Sequence, residues 1–295
     1  MPVTPDSTPL KALVQKITDL PTLPSMMATI TRLMQDPRTS AEELGRAIAT
    51  DPALVSKVLK LVNSAFYGFP GRISTITQAI VILGFSTIRN VVLTTSVLKV
   101  FGDSKSKGFD MEVFWEHSLL TGAISRSLAH EHDLPFTEET FIAGLLHDMG
   151  RMILSQRLTS EFEKVVAFRD KTGMSMLEAE KTILGLTHGE IGGWLARKWN
   201  LPIPFVEVMH YHHFPMQAPI GDARQQMDTG HLIPLVHIAD VLAKGVKDDL
   251  PTRESIPAIH PQVWQRMGME GETWDRFQRR TRDEIEKARA FLEIL

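Results

Sequence analysis

The strongest constraint on the fold is a helix-start signal that recurs along the chain. Ser40 with Glu43, Ser160 with Glu163, Ser175 with Glu178 and Thr187 with Glu190 each place a hydroxyl three residues before a glutamate. At that spacing the hydroxyl accepts a hydrogen bond from an orphan first-turn amide, and the carboxylate reaches back to the amide of the cap residue. Asp51-Pro52 adds a cap followed by proline at the first helical position, where its missing N–H costs nothing. Apolar residues then recur at helical spacing, as in Phe141, Leu145, Met149 and Ile153 or Leu235, Ile238, Leu242 and Val246. No long stretch alternates with period two. The pattern predicts an all-α chain, with His147 and Asp148 late in a helix that begins near Thr137.

Breakers divide the chain. Residues 7–105 read as a series of short helices interrupted at Pro21-Thr22-Leu23-Pro24, Asp36-Pro37, Asp51-Pro52 and Tyr67-Gly68-Phe69-Pro70-Gly71. The polar stretch from Gly102 to Gly108 ends this periodicity and marks a junction. Residues 109–250 form a second helical region, and residues 251–295 a C-terminal helical extension whose last helix, from about Glu272, has Trp274, Phe277, Ile285, Ala288 and Leu292 among its charges. That helix is expected either to cap the domain or to mediate a homodimer.

Composition excludes several functions. A net charge of −3 provides no basic field to hold a phosphate backbone, so nucleic acid is not an expected partner. Lys57 and Lys60 alone would serve a recognition helix over Ser56–Ser64, whose Leu59, Leu61 and Val62 read as core. No run is expected to reach the about 18 apolar residues of a membrane span, and Met1–Lys16 lacks the apolar core of a signal peptide. These features predict a cytoplasmic protein. The chain has no cysteine, so a metal site must use histidine and carboxylate.

All eleven histidines follow residue 108. The candidate ligands are His117, early in a long helix; His147 and Asp148, just before Gly150; His188, at the first helical position after Thr187; His212 and His213; and Asp240, inside a helix. Imidazoles with two carboxylates suit iron, manganese, zinc or magnesium, and one or two ions are expected, Asp148 being placed to bridge a pair. Such an ion polarises a phosphoryl oxygen and acidifies its water, with no side-chain nucleophile required. His130, His132, His231 and His260 lack such a pattern and read as hydrogen-bonded core histidines. Trp115, Trp194 and Trp199 read as packing anchors, and Met26, Met27 and Met34 as core filler.

Leu23-Pro24-Ser25, Asp51-Pro52-Ala53-Leu54, Val62-Asn63-Ser64-Ala65 and Ile73 through Ile80 to Leu83-Gly84 resemble the N-terminal portion of HDOD domains, the HD-related output domains of bacterial signalling. The second half agrees through Phe114-Trp115-Glu116-His117-Ser118, Ala143 through Arg151, Glu180 through Gly185 to His188-Gly189-Glu190-Ile191-Gly192, Trp199-Asn200-Leu201-Pro202 and His212-His213. The resemblance implies an HD-domain-like helical bundle, with residues 109–250 as the HD-like part. HDOD domains are similar in turn to HD-GYP phosphodiesterases, which hydrolyse cyclic di-GMP at a two- or three-metal centre. The order His117, His147-Asp148, His188, His212, His213, Asp240 matches their ligand order. Three positions depart from that pattern: Arg151 stands where HD-GYP proteins have lysine, Phe214-Pro215-Met216-Gln217 replaces the Gly-Tyr-Pro element, and Val113 offers no carboxylate for a third metal.

The resemblance implies a regulatory signal-transduction protein with a metal-loaded site and a signalling protein partner. The alternative is a metal-dependent phosphohydrolase acting on a nucleotide or another phosphate ester, with Arg151 as a phosphate contact.

Overall fold

The computed structural model describes residues 29–292 apart from 31, 34–35, 37, 65, 102–105, 220–222, 247–258 and 268–271. Leu23-Pro24-Ser25, Ala65 and the methionines Met26, Met27 and Met34 lie outside the described residues. Every regular element among those described is a helix, as the capping signals predict. The order is α1 (Ala41–Ala49), α2 (Pro52–Val62), α3 (Ile76–Val100), α4 (Met111–Glu131), α5 (Thr137–Leu146), α6 (Met149–Arg157), α7 (Thr159–Thr172), α8 (Met176–Leu184), α9 (His188–Lys198), α10 (Ile203–Tyr211), a 3₁₀ turn (Pro215–Gln217), α11 (Ala223–Ala243), α12 (Pro261–Met267) and α13 (Glu272–Leu292).

The capping boxes form at Ser40, Ser175 and Thr187. Asp51 caps α2 through the amides of Ala53 and Leu54. Ser160 does not cap a helix. Leu158 both ends α6 and precedes α7, which starts at Thr159, and the Thr159 hydroxyl donates to the Ser155 carbonyl at 2.8 Å. Ser160 instead bonds Glu161, because the tight α6–α7 corner starts the new helix before Ser160 can act as its cap.

A second difference concerns Phe141, Leu145, Met149 and Ile153. All four are buried, but the first two lie on α5 and the last two on α6. Two helices that each bury their apolar face can keep the sequence period across a two-residue corner. His147 and Asp148 occupy that corner instead of the late turns of one helix.

The chain divides into two compact units. Among the described residues, one comprises 29–101, 115–145 and 234–292; the other comprises 106–114 and 146–233. In the former, Leu120, Ile124 and Leu128 of α4 meet Leu235, Ile238 and Leu242 of α11, with Val263, Phe277 and Ile285 completing the core. Fully burying each such side chain contributes roughly 2 kcal/mol. Leu54, Val58, Leu61 and Val62 make α2 a core helix, while Lys57 and Lys60 face outward.

Ile76–Val97 corrects the expectation that no run reaches membrane-spanning length: it is long and apolar enough, with a mean hydropathy of 1.6. Half of that window is buried inside the structure, and Gly84 breaks the helix at φ 86°, ψ 164°. Only glycine adopts that conformation without a Cβ penalty. The Thr87 hydroxyl donates to the Leu83 carbonyl beside the break, at 2.7 Å. These features describe a bent core helix.

The same unit holds a buried ion pair between α4 and α13. Arg126 Nε donates to Glu284 Oε2 at 2.8 Å, Nη2 bonds the same oxygen, and the guanidinium lies 3.8 Å from the Phe66 ring centroid. Arg126→Met is expected to cost about 3 kcal/mol, because it leaves the buried Glu284 Oε2 without its guanidinium partner; chemical denaturation reads the loss. Burial pushes the Glu284 carboxyl up, but the Arg126 charge and hydrogen bond, with Lys287, outweigh it and hold it below its ordinary value of 4.5. Its contribution is therefore complete above about pH 4.5 and is lost as pH falls through the lower folded value. Glu138 shifts the other way, raised by burial, so Glu284→Gln is the variant expected to flatten the acid limb of a pH–stability curve.

Candidate metal centre

In the unit containing Leu146–Ile233, three local structures deliver the candidate ligands. The α5–α6 corner carries His147 and Asp148. Asp148 sits at the N-cap position of α6 but makes no side-chain cap bond, so its carboxylate can turn toward the histidines. The Thr187–Glu190 box starts α9 and places His188 at its first position. The end of α10 supplies His212, its C-cap residue, and then His213.

Backbone approach brings these pieces together. An ideal Cβ on Gly150 would lie 1.8 Å from the His188 carbonyl oxygen and 2.9 Å from the Gly192 amide nitrogen. Glycine at 150 is what lets the start of α6 touch the start of α9.

The ligand atoms of Asp148, His188, His212 and His213 all lie within 4.8 Å of one another. His188 Nε2 is 3.1 Å from Asp148 Oδ1 and 2.8 Å from His213 Nε2. His212 Nε2 lies 3.5 Å from Asp148 Oδ1. Its Nδ1 lies 3.2 Å from the carbonyls of both Val208 and Met209, which can only accept, so Nδ1 carries the proton and Nε2 turns to the cluster. His147 Nε2 is 3.6 Å from Asp148 Oδ2, and Arg151 Nη1 donates to that oxygen at 3.0 Å.

His117 and Asp240 belong to the other unit, on α4 and α11. They pair there, His117 Nε2 to Asp240 Oδ1 at 3.0 Å, and Asp240 Oδ2 accepts from Lys244 at 2.7 Å.

The electrostatics match a site built for a cation. Burial pushes the Asp148 carboxyl up, but His147, His188 and Arg151 outweigh it and hold it well below the carboxylate range. Burial pushes the His188 imidazole down, and the charges of Glu180 and Asp148 reverse this and raise it to about 10. His212, for which burial prevails, falls to about 4. Asp148 Oδ1 is buried and faces His188 Nε2 at 3.1 Å and His212 Nε2 at 3.5 Å, a set of ligand atoms that a divalent ion would bind in place of a proton. Imidazole nitrogens with a carboxylate oxygen suit a borderline or hard divalent ion.

Glu180 is the buried polar neighbour that the ligand pattern alone does not single out. It lies between Leu177 and Leu184 on the inward stripe of α8, and a carboxylate at a core position of an amphipathic helix was the available signal. A cleft of about 400 Å³ opens nearby, bordered by Lys181, Thr187, Glu190, His210, Tyr211 and Phe214. Thr187 and Phe214 are the chain neighbours of His188 and His213.

Comparison with known proteins identifies the fold and the family. An uncharacterized protein of Treponema pallidum is 27% identical over 209 residues, which cover 70% of this chain and 40% of that protein. The match thus spans about two fifths of the length of that relative. A crystal structure of an HDOD domain protein of unknown function from Geobacter sulfurreducens superposes with a TM-score of 0.73 at 23% identity, covering 98% of this chain and 97% of the other. A Shewanella amazonensis protein provisionally named a phosphohydrolase gives a TM-score of 0.73 at 23% identity, over 95% and 98% of the two chains. At that identity the two structures establish a shared fold. The model of the HDOD domain matches residues 20–215, two thirds of the sequence, and the chain therefore belongs to the HDOD domain family.

Proposed function

We propose that this chain is a bacterial, cytoplasmic signal-transduction regulator that holds one or two divalent ions and acts by engaging a signalling protein partner. The observation that carries the metal reading is the convergence of Asp148, His188, His212 and His213, with all four ligand atoms within 4.8 Å. His147 adjoins the set through Asp148, and His117 and Asp240 are candidate ligands on chain order alone. Iron, manganese, zinc and magnesium all suit these donors. The regulatory role rests on family membership and on Phe214-Pro215-Met216-Gln217 in place of a substrate-side Gly-Tyr-Pro element.

A second reading, metal-dependent hydrolysis of a nucleotide or other phosphate ester, is supported by a cleft lined by Thr187 and Phe214, the chain neighbours of His188 and His213. A bound divalent ion supplies Lewis-acid polarisation of a phosphoryl oxygen. Arg151, a guanidinium beside Asp148, is the proposed phosphate contact, and the name of the Shewanella relative agrees with this chemistry.

Metal content of the chain purified without added metal tests the proposal. Near-stoichiometric iron, manganese or zinc is expected in the wild type and is expected to be lost in His147→Ala and Asp148→Ala. A folded wild-type chain that neither carries metal nor takes it up on titration would overturn both readings. Turnover of a cyclic dinucleotide or p-nitrophenyl phosphate by the loaded wild type would favour the hydrolase over the regulator.

A further inference from the structure

We propose that Glu180 is a positioning residue of the metal centre, a buried carboxylate that fixes which nitrogen of His188 an ion can reach. This rests on the metal reading above.

Glu180 is fully buried. Its Oε2 lies 2.7 Å from His188 Nδ1 and accepts the His188 backbone N–H at 2.8 Å. One oxygen thus holds both the side chain and the main chain of the same residue, so the ring cannot rotate without breaking a charge-assisted hydrogen bond. A carboxylate accepts and does not donate, so the proton of this contact belongs to Nδ1. Nε2 is then the atom presented to the cluster, where it lies 3.1 Å from Asp148 Oδ1 and 2.8 Å from His213 Nε2. In a neutral His188 the same contact leaves the Nε2 lone pair for an ion. Carboxylate–histidine–metal arrays work in this way: the outer carboxylate sets tautomer and orientation and raises the basicity of the ligand nitrogen.

The competing role is a helix cap. The first turn of α9 already has a complete capping box, in which Thr187 accepts from the Glu190 amide and Glu190 accepts from the Thr187 amide. A cap on the His188 amide alone would be served equally by glutamine. Oε1 of Glu180, moreover, is buried with no hydrogen-bond partner. Leaving such an atom unsatisfied costs about 1–3 kcal/mol, a cost that a neutral cap would reduce. A charged acceptor instead matches the imidazole, whose Nδ1–H it receives at 2.7 Å.

The test is zinc chloride titration of the full chain against a chromophoric chelator, with wild type, Glu180→Gln and Glu180→Ala compared. Glutamine keeps the size and one acceptor, so thermal unfolding of the metal-free Gln variant is expected to stay close to wild type. Zinc affinity is expected to fall about 10–100-fold in Ala, with a smaller but clear loss in Gln. Nitrogen-15 spectra of the zinc-loaded chain are expected to show His188 protonated only at Nδ1 in wild type and as a mixture of tautomers in Ala. Wild-type zinc binding that both folded variants retain within twofold would overturn this proposal and leave the metal reading standing. A wild type that binds no ion would overturn both.

Discussion

Gly150→Ala is expected to cost about 3 kcal/mol or more and to take the metal centre with it. The added Cβ would meet the His188 carbonyl oxygen at 1.8 Å and its carbon at 2.7 Å, and both are backbone atoms that no rotamer change can move aside. Relief requires α6 and α9 to separate, which pulls His188 away from Asp148 and opens a closely packed contact. Overpacking a core ordinarily costs about 1–3 kcal/mol, more when the neighbours cannot give. Gly173→Ala is the informative control. It sits at φ 72° with nothing within 4 Å of the added Cβ, so its cost is the left-handed backbone alone, about 1–2 kcal/mol. Chemical denaturation of both variants measures the difference, and a Gly150→Ala midpoint no worse than that of Gly173→Ala would show that the two helices are free to part.

Asp148→Asn is expected to lower divalent-ion affinity by at least about 100-fold, more than loss of an outer partner normally does. Asp148 is the one carboxylate in the four-residue cluster, and it is held ionised by His147, His188 and Arg151 against its own burial. Asparagine preserves the volume but replaces a charged oxygen with a neutral amide, one end of which can only donate. It also removes the charge opposite Arg151, whose Nη1 now bonds Asp148 at 3.0 Å. Manganese chloride titration by calorimetry gives the affinity, with circular dichroism confirming the fold. Binding equal to wild type would remove Asp148 from the ligand set and force a different reading of the corner at 147–148.

The helices were legible because their starts are local. A hydroxyl and a glutamate three residues apart satisfy first-turn amides wherever they occur, and Ser40, Ser175 and Thr187 do so. Ser160 failed because the helix started two residues early, at a corner set by packing. The unbroken period through Phe141, Leu145, Met149 and Ile153 hid another corner, since burial of an apolar face says nothing about whether the backbone between two faces is continuous. For the site, residue types and chain order pointed to histidine and carboxylate chemistry. Glu180 was harder to find, because its role depends on a contact eight residues away, made only once α8 and α9 are packed.

By itself, then, the sequence determined the all-helical class, most of the helix starts and the chemical kind of ligand available, because these depend on residues within a few positions of one another. The tertiary structure decided which ligands meet, that His147 and Asp148 stand at a corner, and which nitrogen of His188 faces the cluster. Those outcomes depend on how closely separate helices approach. At the centre of this site that approach is governed by glycine at position 150, where an added methyl group would collide with the backbone of His188.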